Sequence, residues 1–371
     1  MKKKQEIPRR KKLQAAAVIL VLVLCAAAAL AAVQIWENRQ AEAEMAARAA
    51  AAQEAQTETA EAEPDTESRT LEAVLDDADA PEPDEEDAGT GQIWYNGAWY
   101  ALRDDLETVL LLGVDEFEEE SSGGGYRNTQ QADFLMLLIF DTDDETFTAL
   151  HLNRDTMTDI QILGVNGAVA GTTNAQLALA HTYGSGAEDS CRNTVTAVSN
   201  LLYGMEIDHY ISLTMDAVAI LNDLVGGVTV EILDDFSDVD ASLVQGETVT
   251  LRGSQALTYV RTRLGLEDSS NLHRMERQRQ YLTALLGQLQ SAIAGDTSFS
   301  LSTILEISEY LVSDCTITQL SDLANSMGIY DMEAVYTIDG EAVEGDVYME
   351  YYVDEEALQD LILELFYEKQ S

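Results

Sequence analysis

The sequence predicts one mixed-sheet α/β domain with helices on both faces, over residues 92–371, preceded by one transmembrane helix and a disordered acidic linker. Two apolar runs of strand length, at residues 108–114 and 134–140, are continuous rather than alternating, which is typical of strands covered on both faces. Stretches with helical periodicity that end at glycine separate further strand-like runs. No proline follows Pro83, so no helix or strand of the domain is interrupted by proline.

The first 35 residues have the charge pattern of a membrane anchor. Residues 1–12 form a basic tail with seven lysines and arginines. Residues 13–35 are uncharged and mostly apolar, and they are long enough to cross a hydrocarbon core of about 30 Å. Basic residues on the N-terminal side predict a single pass through the cell membrane, with a cytoplasmic N-terminus and an extracytoplasmic C-terminal domain. A cleaved signal peptide is the rival interpretation, and the length of the run favours an uncleaved signal-anchor.

Residues 36–91 are predicted to be an acidic spacer rich in alanine and glutamate. Its first half favours a helical stalk. Its second half cannot bury enough apolar surface to offset the ordering entropy, and we expect it to be disordered. The whole chain has a formal net charge of -46. A chain this acidic repels phosphate backbones, which excludes a nucleic acid partner.

The first part of the domain is predicted to consist mainly of strands. Asn96-Gly97 between two aromatic runs predicts a hairpin over residues 93–102. The two buried strands are followed by a third at 147–152, which leads directly to Asn153 and the pair Arg154-Asp155. Residues with catalytic or binding chemistry therefore follow a buried strand without an intervening loop.

The second part alternates helices with short strands. Glycines suit the C-terminal ends of several of these helices. The predicted helices are 173–183, 189–203, 214–225, 254–260, 271–294, 302–312, 317–327 and 355–367, and the predicted strands are 228–233, 248–251 and 334–338. An apolar stripe from Leu272 to Ile293 predicts that the longest helix packs against the core.

Arginine is concentrated in a short window between residues 252 and 279. The window contains six of the fifteen arginines in the chain: Arg252, Arg261, Arg263, Arg274, Arg277 and Arg279. On the predicted long helix, Arg274 and Arg277 are neighbours on a face that points away from the core. Arg261 and Arg263 alternate just before it, so they point the same way if that segment is extended. Such a cluster favours a pyrophosphate ligand, and a solvated basic helix face is the alternative.

Carboxylates stand at the ends of the three buried strands. Asp115 follows the first, Asp133 precedes the second, and Asp155 comes shortly after the third. Ligands of α/β sheets gather outside strand ends, and two carboxylates beside a phosphate site favour a hard divalent cation, Mg²⁺ or Mn²⁺. A lone aspartate at a strand boundary is more commonly a turn residue, so this prediction depends on the whole set. The four histidines have no spacing that indicates a zinc site.

Six ordered motifs resemble those of the LytR-CpsA-Psr proteins, and the resemblance is strongest over residues 107–288. Their order along the chain makes the resemblance specific, whereas each motif alone is weak. The layout of a membrane anchor followed by an external domain is similar too. The motifs are LLLGVD (110–115), QADFLML (131–137), HLNRDTM (151–157), LNDLVGGV (221–228), LRGSQALTYVRTR (251–263) and NLHRMERQRQYL (271–282).

The resemblance implies a phosphotransferase of cell-wall assembly. Such proteins move a glycopolymer from a polyprenyl-pyrophosphate carrier to a peptidoglycan hydroxyl, with the lipid tail in a long apolar cavity. By motif position, Asp115 and Asp133 correspond to the residues that bind Mg²⁺. The pyrophosphate-binding set corresponds to Arg154, Arg261, Arg263, Arg274, Arg277 and Gln278, and the catalytic set to Arg154, Asp155, Arg261 and Arg263.

The chain departs from the family pattern at three places. Asn153 stands where many members have proline, and Asn271 stands where an aspartate is usual. Residues 116–131 form a longer insert than we expect between the two metal-binding aspartates. Asp155 and Asp268 are both candidates for the general base. A lipid-binding or regulatory module without turnover, and a pyrophosphatase that uses water at the same site, are the alternative functions.

Overall fold

The computed structural model describes residues 70–75, 92–115, 130–164, 167–185, 187–262, 271–296, 298–345 and 348–370. The predicted cytoplasmic tail, the membrane anchor, most of the acidic spacer and most of the insert at 116–131 lie outside these ranges. Within the described ranges, no helix combines the length and the apolar character needed to cross a bilayer.

The described chain contains fifteen strands and nine α-helices. The strands are β1 (Gln92–Tyr95), β2 (Ala98–Leu102), β3 (Leu106–Val114), β4 (Phe134–Asp141), β5 (Thr146–Leu152), β6 (Met157–Leu163), β7 (Val169–Gln176), β8 (His209–Thr214), β9 (Thr229–Glu231), β10 (Thr248–Thr250), β11 (Leu311–Ser313), β12 (Asp331–Thr337), β13 (Gly340–Glu344), β14 (Met349–Val353) and β15 (Tyr367–Lys369). The helices are α1 (Leu71–Val74), α2 (Leu179–Thr182), α3 (Ala187–Leu201), α4 (Met215–Leu224), α5 (Ser254–Arg261), α6 (Asn271–Gly295), α7 (Phe299–Glu306), α8 (Ile317–Ile329) and α9 (Glu355–Phe366).

A six-stranded mixed sheet forms the centre of the domain, with the strand order β11-β8-β3-β4-β5-β12. The continuous apolar strands are buried on both faces, as predicted. In β4, Leu135, Leu137 and Ile139 pack into one core with helices α3 and α9. Met136, Leu138 and Phe140 pack into a second core with α6 and α8. Because alternate side chains of a strand point to opposite faces, this one strand requires helices on both sides. The predicted mixed α/β domain is confirmed.

Positive backbone φ angles explain two of the confirmed turns. Asn96 (φ 49°) and Gly97 (φ 80°) connect β1 to β2, as expected for an Asn-Gly hairpin. Gly226 (φ 84°) and Gly227 (φ 93°) follow α4 and turn the chain into β9. Most side chains clash with the backbone at such angles, so glycine is favoured there, and asparagine is one of the few other residues that adopt them.

Two predicted helices are wrong in part. Residues 173–183 were expected to be helical, but β7 extends to Gln176 and only α2 is helical. The β-branched residues Thr172 and Thr173 pair with β6 in a hairpin, and this long-range pairing outweighs the local helical pattern. In the segment 302–312 the helix ends at Glu306, and Leu311–Ser313 instead forms an edge strand beside β8. The sequence did not predict strands β6, β8 and β15 or the hairpin β13–β14.

The acidic spacer was predicted to be disordered to residue 91, and this is wrong over residues 70–75. Leu71–Val74 is helical, and Leu71 is only 1% exposed within the core that includes α9. The side chain of Thr70 accepts a hydrogen bond from the backbone N–H of Ala73, which is an N-cap. A single apolar residue that reaches a preformed core is ordered there despite its acidic surroundings, because burial of a leucine contributes about 2 kcal/mol.

Candidate functional site

One edge of the central sheet gathers the strand ends that carry the predicted site. Strands β3 and β8 are parallel, and so are β5 and β12, whereas β4 runs antiparallel between β3 and β5. The C-terminal ends of these four strands therefore meet the N-terminal end of β4 at one edge, which we call the site edge. Asp115, Asp133 and Asn153 lie immediately beyond it.

Two buried arginines converge on one carboxylate at the site edge. Nη1 of Arg154 donates to Oδ1 of Asp133, and Nη1 of Arg274 lies 3.5 Å from the same oxygen. Nη2 of Arg274 also donates to the backbone carbonyl of Asp133 (3.3 Å). Arg154 and Arg274 are only 8% and 3% exposed. Asp155 also lies 3.4 Å from Nε of Arg154, so two carboxylates balance the two guanidinium groups in a poorly solvated place. A phosphate group could replace a carboxylate there, because guanidinium groups bind both in the same bidentate way.

Two asparagines tie the loop after β5 to the start of α6. Nδ2 of Asn271 donates to Oδ1 of Asn153 (2.6 Å), and that oxygen also accepts from the backbone N–H of Asp155 (3.0 Å). Oδ1 of Asn271 accepts from Nη2 of Arg274 (2.6 Å). The two positions that depart from the family pattern therefore contact each other, and together they connect Asp155 to Arg274.

Asp155 is held by a strand that the sequence assigned to a helix. Its Oδ1 accepts from Nε2 of Gln176 (3.1 Å) and lies 3.4 Å from Nε of Arg154. Gln176 also donates to the backbone carbonyl of Met349 (2.7 Å). In residues 169–176, Gln176 is in phase with the exposed positions Thr172 and Asn174 and is nevertheless buried, so no alternation in the sequence predicts that it faces inward. Asp268, the other candidate base, lies outside the described residues.

The remaining predicted arginines are placed differently. Arg261 is the last residue of α5, and its Nη2 lies 2.8 Å from Oδ1 of Asp115, with both side chains about half exposed. Because Asp115 and Asp133 follow and precede paired strands, the Arg261 pair lies at the same site edge as Arg154 and Arg274. Arg263 lies outside the described residues.

Arg274 and Arg277 were expected on a face of the helix that points away from the core, and this is wrong for both, since they are 3% and 1% exposed. Arg277 is 1% exposed and pairs with Asp234, while its Nε donates to the carbonyl of Tyr259 (3.0 Å). Its guanidinium also lies over the ring of Phe236. Helix α6 is enclosed by the sheet and by the segment around α5 and β9, so more than one of its stripes is buried.

Gln278 lies on an apolar cavity between the sheet and two helices. The cavity has a volume of about 120 Å³ and opens to solvent. Its walls come from β3, β4, β8, α4, α5 and α6, and nearly all of them are aliphatic or aromatic. Nε2 of Gln278 donates to the carbonyl of Val260 (3.2 Å). The sequence supplied the apolar residues, but only the packing shows that they leave a space open beside the site edge.

The carboxylates at the site edge have the chemistry that a hard divalent cation requires. Asp115 and Asp133 offer oxygen ligands at adjacent strand ends, and Mg²⁺ commonly uses one or two carboxylates together with substrate phosphates and water. Each carboxylate is paired with arginine, so a cation and a phosphate would have to exchange partners with these ion pairs. Elsewhere in the described chain, His209, Asp314 and Cys315 lie close enough to share an ion, at the opposite edge of the sheet.

A model of the LytR_cpsA_psr family matches residues 52–366 of the chain. The TagU protein of Halalkalibacterium halodurans is 32% identical over 182 residues, which are 49% of this chain and 52% of that protein. The TagV protein of Bacillus subtilis is 29% identical over 219 residues, 55% of this chain and 51% of that protein. Both are named polyisoprenyl-teichoic acid–peptidoglycan teichoic acid transferases. This chain spans about half the length of these relatives.

Solved structures share the fold. A structure described as TagT bound to LI-WTA matches with a TM-score of 0.53 and 22% identity, covering 71% of this chain and 90% of that chain. The crystal structure of Bacillus subtilis TagV matches with a TM-score of 0.53 and 21% identity, covering 71% and 97%. At these identities the likeness concerns the fold alone.

Proposed function

The chain belongs to the LytR-CpsA-Psr family, and on that premise we propose that it transfers a glycopolymer from a polyprenyl-pyrophosphate carrier to a peptidoglycan hydroxyl. The observation that supports this most directly is the convergence of Arg154 and Arg274 on Asp133 at the site edge. The names of the relatives, which state transfer of teichoic acid to peptidoglycan, support the same class of reaction.

The pyrophosphate of the carrier would bind where these arginines now meet the carboxylate. Arg154 and Arg274 exchange Asp133 for phosphate oxygens, and Arg261 does the same from Asp115. The exchange keeps every guanidinium paired, which matters because an unpaired buried charge costs several kcal/mol. It also frees two carboxylates next to the phosphates. Asp115 and Asp133 would hold Mg²⁺ or Mn²⁺, which when bound neutralises charge on phosphate oxygens.

The reaction forms one phosphorus–oxygen bond and breaks another. The acceptor hydroxyl oxygen attacks the phosphorus that carries the glycopolymer, and the bridging bond breaks so that the lipid leaves as its monophosphate. The carboxylate of Asp155 takes the hydroxyl proton, with Gln176 and Arg154 fixing its orientation. The arginines stabilise the charge that develops on the leaving phosphate, and most of the acceleration comes from this electrostatic fit and from positioning.

The apolar cavity would receive the first part of the lipid tail. It borders Gln278 and the end of β3, so a lipid inside it would place its phosphates at the site edge. The predicted anchor at residues 13–35 would hold the domain outside the cell membrane, where lipid-linked glycopolymers and peptidoglycan meet.

An assay of products separates the transferase from its two alternatives. The full chain in detergent is incubated with Mg²⁺, a polyprenyl-pyrophosphate saccharide and peptidoglycan, and the phosphorus species are followed by ³¹P NMR. We expect a phosphodiester on peptidoglycan and an equal amount of lipid monophosphate, both lost in EDTA and in Arg154→Ala. Hydrolysed carrier without the phosphodiester would instead indicate a pyrophosphatase. Tightly bound but unchanged carrier would indicate a binding module.

A further inference from the structure

A second cavity lies beside the apolar one and has a different chemistry. It has a volume of about 300 Å³ and opens to solvent between α6, the ends of β5 and β12, and β14. His151 lines this cavity and Phe134 lines the apolar one, and their ring centroids are 5.1 Å apart. The two side chains therefore form a wall between the cavities. Asn153 also lines the second cavity and connects it to the Arg274 network.

His151 has an unsatisfied polar atom at this wall. It is 1% exposed, and within the described chain its Nδ1 has no hydrogen-bond partner. Burial, together with the charges of Arg279 and Arg274, lowers the pKa of His151 to about 3, so the ring is neutral at physiological pH. A neutral imidazole both donates and accepts hydrogen bonds. A ligand hydroxyl that reaches it would recover the free energy lost by the buried, unpaired nitrogen.

The other lining groups match a sugar better than a second phosphate. Glu276 and Asp339 contribute two carboxylates, against the single guanidinium of Arg279. Thr337 adds a hydroxyl, and Tyr351 adds a buried aromatic ring. The hydroxyl of Tyr351 donates a hydrogen bond to the carbonyl of Ile338 (2.8 Å). An excess of carboxylates repels an anion but accepts hydrogen bonds from several hydroxyl groups at once. A few convergent polar groups on a partly apolar wall are typical of sites for small uncharged ligands.

We propose that this cavity binds the uncharged sugar ring that presents the acceptor hydroxyl. The inference rests on the proposed transfer from a lipid pyrophosphate. In an in-line displacement the attacking oxygen approaches from the side away from the leaving group. The leaving lipid phosphate lies toward the apolar cavity, and the second cavity lies across the Phe134–His151 wall from it. A sugar there would bring its hydroxyl past Asn153 toward Asp155, which accepts the proton as the new phosphorus–oxygen bond forms.

Exposed carboxylates at the cavity allow a test with little risk to folding. The double variant Glu276→Gln/Asp339→Asn removes both charges and keeps the shapes of the side chains. Glu341→Gln is the matched control, because Glu341 is exposed on β13 close to Asp339 but does not line the cavity. The full-length variants are compared by titration calorimetry with a soluble peptidoglycan disaccharide-peptide, without donor. The KM for this acceptor and for the lipid donor are then measured separately.

The double variant is expected to bind the fragment at least fivefold more weakly and to raise the acceptor KM by a similar factor, with the donor KM unchanged. The control Glu341→Gln should have the wild-type fragment affinity, acceptor KM and donor KM. Wild-type values of fragment affinity and acceptor KM in the double variant would overturn the proposal. A raised donor KM with normal fragment binding would also overturn it, and would assign the cavity to the donor glycan. Weakened fragment binding in a chain that never turns over donor would support the cavity and refute the transferase.

Discussion

At the scale of single residues, two arginines three positions apart on α6 have different environments. Arg274 reaches the carboxylate and the carbonyl of Asp133, and Arg277 is enclosed by Asp234 and backbone carbonyls. The sequence placed both in one anion site, because spacing on a helix shows which residues are neighbours and not which elements cover them. The position of Arg154, Asp133 and Asp115 at one site edge could be predicted, because each lies near the end of a strand that the sequence predicts. The Asn153–Asn271 contact could not, since it joins residues 118 positions apart.

Replacement of Asn271 tests whether it positions Arg274. In Asn271→Ala both of its side-chain hydrogen bonds are lost, and we expect kcat for transfer to fall at least tenfold with little change in Tm. Asn271→Asp should recover much of kcat, because a carboxylate still accepts from Arg274. Gln288→Ala, an exposed position on the same helix, is the control and should behave as the wild type. Equal kcat in Asn271→Ala and Gln288→Ala would show that the bond to Arg274 has no part in turnover.

Arg277 is expected to affect stability first. Arg277→Ala removes the guanidinium that pairs with the buried carboxylate of Asp234 and leaves that carboxylate beside the imidazole of His273 (3.5 Å). We expect the free energy of unfolding in urea to fall by about 3–5 kcal/mol. Arg192→Ala is the matched control. Arg192, like Arg277, forms ion pairs, in its case with Glu188 and Asp189, but its side chain is more than half exposed. Its loss should cost less than about 1 kcal/mol. If Arg277→Ala also lowered the free energy of unfolding by less than about 1 kcal/mol, a structural role for Arg277 would be refuted, and a role in binding pyrophosphate would be favoured instead.

At the scale of elements, strands and helices were predicted best where local sequence and burial agree. Strands β3, β4 and β5 were anticipated because both of their faces are buried, and α6 because its length exceeds that of any strand. The hairpin β6–β7 was missed because its pairing is between segments, and a run such as Leu177-Ala178-Leu179 resembles a helix when considered alone. Because the sequence predicted a helix at 173–183, it did not indicate that Gln176 contacts Asp155, the proposed base.

The turn after α4 allows the cost of a close approach to be separated from the cost of a strained backbone. A Cβ at Gly227 would lie 2.8 Å from the carbonyl oxygen of Leu251, whereas a Cβ at Gly226 would meet nothing within 4 Å. Both glycines have positive φ. We expect Gly226→Ala to lower the free energy of unfolding by about 1 kcal/mol, and Gly227→Ala by about 1–3 kcal/mol more. If both variants lowered the free energy of unfolding in urea equally, β10 and Leu251 would have to move away from the new methyl group at residue 227 without an energetic cost.

At the scale of the whole molecule, an acidic chain gathers arginines at one site and pairs each of them with an aspartate. The net charge is -46, and yet Arg154, Arg261 and Arg274 lie at one edge of the sheet. The N-terminal charge pattern predicts an extracytoplasmic domain, and the net charge predicts that nucleic acid is not a partner. The two cavities on either side of the Phe134–His151 wall depend on how α6 crosses the sheet edge, which no local pattern encodes.

The most direct test of this account is a crystal structure of the protein soaked with geranylgeranyl pyrophosphate and Mn²⁺, with the metal located by anomalous scattering. We expect the pyrophosphate to contact Arg154 and Arg274, Mn²⁺ to lie next to the carboxylates of Asp115 and Asp133, and the isoprenoid to enter the cavity beside Gln278. A pyrophosphate bound away from both arginines, with the Arg154–Asp133 pair intact, would contradict it.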